Sequence, residues 1–199
     1  MMKSHMFRSF TLSVMLAFMA ANCFAKHEKE PPPDPKLAAI TNIALLPVVD
    51  ARANKTIKLN LNKGLTPAPV RSWAEACLHG RRHYHVTLVD FNAGAGEPSL
   101  VDLQEAKPEF IKLLGPPTER WVMVVVLTDS FSKAALGRVG AAELLGFIYD
   151  KETETLIWKG SSAATEYEGG LIFIGAKGFT EGNAADKAVY NLIETLPKH

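Results

Sequence analysis

The run Trp121–Leu127 (WVMVVVL) constrains the fold of this chain more than any other segment. It consists of seven consecutive apolar residues, four of which are valine. A continuous β-branched run of this length is typical of a strand that is covered on both faces, whereas a half-exposed strand alternates apolar and polar residues. The run therefore predicts a sheet with Trp121–Leu127 near its centre and further layers packed on each side.

Two apolar runs upstream are predicted to be further strands of this sheet. Ile43–Val49 (IALLPVV) is bounded by polar residues and reads as a buried strand. Pro47 has no N–H group, so the strand is expected to end, or to border an edge, at that point. Val86–Phe91 (VTLVDF) is the second run. Residues 50–65 carry a weak alternation that fits either a short extra strand or a loop.

Helices are predicted between these strands. Thr66 is a suitable N-cap with Pro67 at the first helical position, and Gly80 is predicted to end the helix. Ser99–Leu114 also has helical character, which Pro108 breaks or restarts. The first helix has apolar residues at spacings of three and four that form one stripe: Val70, Trp73, Ala74, Cys77 and Leu78.

A hairpin and a last helix follow the central strand. Ala142–Tyr149 and Thr155–Lys159 flank a polar turn and are predicted to pair antiparallel. Asn183 is predicted to cap the final helix. The buried stripe of that helix is Ala185, Val189, Leu192, Ile193 and Leu196.

The predicted element order is β-α-β-α-β-β-β-α. Alternation of strands and helices favours a parallel sheet with right-handed crossovers, and the late hairpin adds antiparallel strands. The fold class is therefore α/β with a mixed sheet.

The first 25 residues resemble a secretory signal. Lys3 and Arg8 supply a basic start, Phe10–Ala21 is apolar but too short to span a bilayer, and cleavage is predicted after Ala25. Residues 26–39, which are rich in charge and proline, are predicted to be an extended linker. A single domain is expected over residues 40–199.

Loss of the predicted signal changes the charge of the chain. The full chain has 22 basic and 21 acidic residues, and residues 1–25 contain two basic residues and no acid. The remainder has 20 basic against 21 acidic residues, a net charge of −1. Near neutrality argues against a nucleic-acid partner bound through general basicity.

Cys23 admits two interpretations. It lies at the end of Met19-Ala20-Ala21-Asn22-Cys23, which approximates a lipoprotein lipobox, although Asn22 stands where glycine, alanine or serine is expected. Lipidation of Cys23 would anchor the protein to the outer membrane. Alternatively, Cys23 is discarded with the signal peptide.

The segment Cys77–His85 (CLHGRRHYH) holds the densest group of side chains that can bind a metal. His83 and His85 would share a face in extended backbone and are weak metal candidates. Cys77 lies on the apolar helical stripe instead. The alternative is a helix C-terminus with favourable cations followed by a strand. We expect no bound cofactor.

Aspartates follow the early strands where α/β proteins often bind ligands. Asp50, Asp90 and Asp129 come at three predicted strand ends, and Ser130 follows the last. These residues would form the site of a small-molecule or metal-binding enzyme, which is the alternative to a binding protein. Aspartate is equally common in turns and caps. No Gly-x-Ser-x-Gly motif or phosphate-binding loop is present.

The glycine-rich segment 171–179 (LIFIGAKGF) has two interpretations. If exposed, it is an apolar patch suited to a protein partner or a membrane. If buried, it is another strand. The candidate contact residues are Leu171, Ile172, Phe173, Ile174 and Phe179.

The arrangement resembles bacterial envelope lipoproteins whose domains are shaped like the N-terminal domain of TolB, including CsgG and LpoB. The resemblance covers residues 40–196. It rests on the export signal, on Ile43–Arg52, and on a hairpin that runs from Tyr149-Asp150 to Trp158-Lys159-Gly160.

This resemblance implies a non-enzymatic protein of the periplasm or outer membrane. Its expected partners are other envelope proteins, whose complexes it would assemble or regulate, and an oligomer is compatible with such a role. The families supply no catalytic residues.

Overall fold

The valine-rich run forms the first half of a longer strand inside a six-stranded sheet. A computed structural model describes residues 35–53, 65–134, 137–169 and 180–199. These belong to one unit, Asp34–His199. The elements are α1 (Pro35–Ala38), β1 (Asn42–Leu45), β2 (Val49–Asp50), α2 (Pro67–Arg82), β3 (His85–Leu88), α3 (Leu100–Glu105), α4 (Pro108–Leu113), β4 (Trp121–Ala134), β5 (Gly137–Asp150), β6 (Thr155–Gly169) and α5 (Thr180–Glu194).

The sheet is mixed, as the sequence predicts. Its strand order is β3-β1-β4-β5-β6, and β2 also pairs with β4. The β1 strand runs parallel to β3 and β4, whereas β5 and β6 form an antiparallel meander with β4. The predicted single strand Ile43–Val49 is instead two short strands. Pro47 lies between them, where it can donate no hydrogen bond to the sheet.

The central run is covered on both faces. On one face the core contains residues of α2 and α5 with Leu45, Met123 and Val125. On the other, Leu103 and Ile111 of the short helices pack against the sheet residues Ala44, Val122, Val124, Val126, Phe147 and Tyr149. The Tyr149 hydroxyl donates a 2.6 Å hydrogen bond to the carbonyl of Leu103.

The structure corrects the predicted end of α2 and the predicted start of α5, and it confirms the break at Pro108. Helix α2 continues through Gly80 to Arg82, because His83 adopts the left-handed conformation and donates its N–H to the carbonyl of Leu78. Pro108 does separate two helices, α3 and α4. Helix α5 begins at Thr180 rather than at Asn183.

The hairpin is confirmed, but its strands are much longer than predicted. Residues 128–134 of β4, 137–144 of β5 and 161–169 of β6 continue as a three-stranded extension of the sheet. Small and polar residues dominate these segments, which is why apolar patterning did not reveal them.

Trp158 explains two glycines of the hairpin. Gly146 and Gly160 face each other across β5 and β6, and an added Cβ at either position would collide with the Trp158 ring. Helix α5 contributes Leu192 to the same contact. The segment Trp158-Lys159-Gly160, on which the resemblance to envelope lipoproteins partly rests, therefore helps to pack α5 onto the sheet.

Asp150 organises the turn between β5 and β6. Its carboxylate accepts hydrogen bonds from Arg120 Nε (3.1 Å) and Nη2 (2.9 Å) and from the backbone N–H of Glu152 (2.9 Å). Burial alone would raise the pKa of Asp150, but the Arg120 and backbone hydrogen bonds outweigh it and lower the pKa.

We expect Asp150→Asn to cost about 2 kcal/mol of unfolding free energy at pH 7, because it removes charge-assisted hydrogen bonds. The folded-state pKa of Asp150 lies below the unfolded value of about 3.9, so its contribution is present above that pH and is lost as the pH falls through the folded pKa. Urea unfolding should show a difference between the two proteins at pH 7 that shrinks once the pH falls below about 4. A constant difference would contradict this assignment.

The end of the predicted linker (residues 26–39) packs against the core. This end contains α1, whose Leu37 is buried, and the next residue after the linker, Ile40, is buried as well. Cys23 and the predicted signal lie outside the described residues, as do Leu171, Ile172, Phe173, Ile174 and Phe179. In the described part of the chain, no helix combines the length and apolar character that crossing a membrane requires.

Candidate functional site

A polar cluster occupies the sheet edge where β2 ends and β4 continues. Arg52 is its centre: Nε and Nη2 bind the two carboxylate oxygens of Asp50 at 2.9 and 2.8 Å, and Nη1 donates to Ser130 Oγ at 2.8 Å. Nη2 also donates to the carbonyl of Leu65 at 3.0 Å. We call Asp50, Arg52, Ser130 and Glu181 the Arg52 cluster.

Glu181 connects the Arg52 cluster to α5. The Ser130 hydroxyl donates a 2.5 Å hydrogen bond to Glu181 Oε1, which lies 3.8 Å from Arg52 Nη1. The hydrogen bond to Asp50 is the main cause of a raised Arg52 pKa, so the guanidinium stays charged. Each guanidinium nitrogen has an oxygen partner within the protein. The cluster therefore ties the first turn of α5 to the strand ends.

The three strand-end aspartates have separate surroundings. Asp50 belongs to the Arg52 cluster, whereas the Asp90 side chain is 90% exposed and lies 3.9 Å from Arg71 Nη1. Asp129 is exposed on β4. Arg71 donates to the carbonyl oxygens of Leu45 and Val89, so it bridges the ends of two parallel strands.

His79, His83 and His85 line one surface depression together with Tyr84. Tyr84 is 1% exposed, and burial raises the pKa of its hydroxyl to about 12. Its ring packs edge-on against His199, with the ring centroids 4.6 Å apart. Among the described residues, no three or more His, Cys, Asp or Glu side chains are grouped to hold a metal. Cys77 lies in the core, where burial raises the pKa of its thiol.

The three-stranded extension has one covered and one open face. On the covered face, Gly140 abuts the backbone of Thr180, Ser162 Oγ donates to the carbonyl of Ala188 (2.6 Å), and Lys187 pairs with Glu166 (2.8 Å). Helix α5 therefore lies against this side.

No described helix packs on the opposite side of the extension, and we call this side the open face. Strand alternation and register place on it the exposed carboxylates Asp129 and Glu143 and the following neutral residues: Phe131, Val139, Ala141, Ala163, Thr165 and Tyr167. Phe131, Val139 and Ala141 are partly buried, whereas the three β6 residues are exposed, and Tyr167 is 63% exposed. Sequence patterning did not identify this surface, because it predicted neither the length of the strands nor the side that α5 covers.

Comparison with known proteins gives a likeness of fold. No protein-family model matches the chain, and no curated protein sequence matches it. The hypothetical protein CT253 from Chlamydia trachomatis aligns with a TM-score of 0.50 and 15% identity over 78% of this chain and 92% of that one. This likeness supports the mixed α/β fold.

Two other similar structures belong to named bacterial proteins. PelC from Paraburkholderia phytofirmans, a dodecamer, has a TM-score of 0.48 and 9% identity over 79% of this chain and 89% of its own. The lipoprotein GNA1162 from Neisseria meningitidis has a TM-score of 0.44 and 15% identity over 77% and 98%. The structures that this chain resembles thus include bacterial lipoproteins.

Proposed function

We propose that this chain is an exported, non-enzymatic protein of the bacterial cell envelope that binds other envelope proteins and assembles or regulates their complex. The observation that carries the proposal is the open face, an accessible sheet surface on rigid strands whose other side is held by α5. Accessible apolar side chains on a sheet are a common basis for protein recognition.

The chemistry at the strand ends favours binding over catalysis. Each nitrogen of the Arg52 guanidinium has a protein partner. The Asp90 side chain is largely exposed to solvent and lies near the Arg71 guanidinium. A catalytic constellation needs a nucleophile or base poised toward open space. The Arg52 cluster instead contributes rigidity beneath the open face.

The proposed location is the periplasm, with the outer membrane as anchor if Cys23 is lipidated. A domain shaped like the N-terminal domain of TolB fits this role. Intact mass of the protein from fractionated cells distinguishes a chain that starts at Lys26 from one that starts at acylated Cys23. A cytoplasmic chain that retains residues 1–25 would overturn the proposal.

Site-specific photo-crosslinking in the exporting bacterium tests the open face. A photoreactive residue at Ala141, at the centre of that face, is expected to give adducts with envelope proteins. The matched control is Val101 on α3, which is 59% exposed and is not among the residues of the open face. Adducts at Val101 that equal those at Ala141, or none at either position, would contradict the proposal.

Metal analysis tests the alternative function. We expect the purified protein to contain no stoichiometric metal. Stoichiometric zinc that is lost in His83→Ala would favour the metal-binding alternative.

A further inference from the structure

The outer edge of β6 is long, and in the described ranges β6 contacts β5, α5 and the four-residue helix α1. Strand β6 ends the sheet order, and in the described ranges no strand pairs with its outer side. It is 15 residues long and contains no proline, and residues 160–165 (GSSAAT) carry no charge. The edge strand at the other end of the sheet, β3, has only four residues.

Such an edge is unusual for a strand that stays unpaired. An edge strand presents a row of free N–H and C=O groups, and natural proteins shield these groups by short strands, proline, charges or bulges. The only irregularity in the pairing of β5 with β6 lies at the turn end, between Ile148 and Tyr149. The charged residues Lys159 and Glu166 flank the 160–165 stretch rather than interrupting it. The sequence of β6 therefore fits a strand that is paired in the working protein.

We propose that β6 pairs antiparallel with β6 of a second copy of this chain, about a two-fold axis at Ala163. The two sheets then join into one continuous sheet across the dimer. This inference concerns the strand edge and does not rest on the function proposed for the open face.

Self-pairing is favoured over an unrelated strand because β6 is complementary to itself in this register. Residues on the same face lie opposite each other: Ser161 meets Thr165, and Ala163 meets Ala163. Lys159 lies opposite Tyr167, and its ammonium group, which is 5.7 Å from the Phe147 ring centroid, is on the same face as the exposed Tyr167 ring. Glu166 lies opposite Gly160 and keeps its own partner, Lys187. No like charges are opposed.

Sedimentation velocity of the purified chain tests the proposal. The wild type is expected to be a dimer. Ala163→Lys places two ammonium groups at the axis and should raise the dimer dissociation constant at least about tenfold, because like charges directly opposite destabilise paired strands. The matched control Val101→Lys adds the same charge on an exposed side chain of α3 and should leave the dimer intact.

Charge complementation keeps the test independent of folding defects. Ala163→Asp alone should also dissociate, whereas an equimolar mixture with Ala163→Lys should recover the dimer. Circular dichroism verifies that each variant is folded. A monomeric wild type, or an Ala163→Lys variant that dimerises as well as the wild type, would overturn the proposal.

Hydrogen exchange provides a readout without substitutions. Amides of residues 161–165 that point away from β5 should be protected in the dimer and lose protection on dilution. Protection that persists in a monomer would show that another part of the same chain covers the edge, and would overturn the proposal. A wild type that is monomeric but still gives Ala141 crosslinks to envelope proteins would overturn self-pairing and leave the proposed function intact.

Discussion

Arg52→Ala is expected to lower the unfolding free energy by about 3 kcal/mol. The side chains of Arg52, Asp50 and Glu181 are only 13%, 18% and 13% exposed. Removing the guanidinium takes the Arg52 hydrogen bonds and positive charge away from two poorly hydrated carboxylates, Asp50 and Glu181. Urea unfolding at pH 7 measures the loss.

The controls for Arg52→Ala separate burial from charge. Lys107→Ala removes a cation from the exposed pair with Glu105 and should cost far less than Arg52→Ala, because solvent screens that pair. Adding Asp50→Asn and Glu181→Gln to Arg52→Ala should recover part of the loss, because the two negative charges that Arg52 faced are then removed as well. If Arg52→Ala proved no more costly than Lys107→Ala, the Arg52 cluster would not anchor α5.

Gly140→Ala is expected to cost at least about 3 kcal/mol, at the upper end for overpacking. An added Cβ would overlap the backbone of Thr180 and Glu181 at the start of α5. Backbone cannot change rotamer to relieve the overlap, so the helix start has to move away from β5. Such a shift would also pull Glu181 from Ser130. Thermal and urea unfolding would both report the loss.

Gly80→Ala is the matched control for Gly140→Ala. Gly80 lies inside α2, and no atom lies within 4 Å of an added Cβ. Alanine there should stabilise the protein by about 0.5–1 kcal/mol through helix propensity and a less flexible unfolded chain. A neutral Gly140→Ala would show that α5 does not pack closely on β5.

The two glycines show why local signals misplaced helix ends. Gly80 was predicted to end α2, but the helix continues to Arg82 and ends at His83, which takes the left-handed capping conformation that Gly80 was expected to supply. Helix α5 begins before Asn183 because Thr180, which is 2% exposed, packs onto Gly140. A tertiary contact therefore outweighs the capping preference of Asn183.

The sequence by itself determined the central strand, the mixed character of the sheet and the hairpin. Burial on both faces demands a continuous apolar run, and Trp121–Leu127 is one. A helix demands a periodic apolar stripe, and two such stripes were recognised.

Only the tertiary structure determined the contacts of Arg52 and the extension of β4, β5 and β6. Arg52 meets Ser130 and Glu181 across 78 and 129 positions of the chain, and no local pattern encodes such a contact. The extension of β4, β5 and β6 is built from small and polar residues whose strand conformation depends on pairing with neighbours rather than on intrinsic preference. In the described part of the chain, α5 packs on one side of this extension and leaves the open face, and the strand order places β6 at the edge of the sheet. Both arrangements depend on contacts between residues far apart in the sequence.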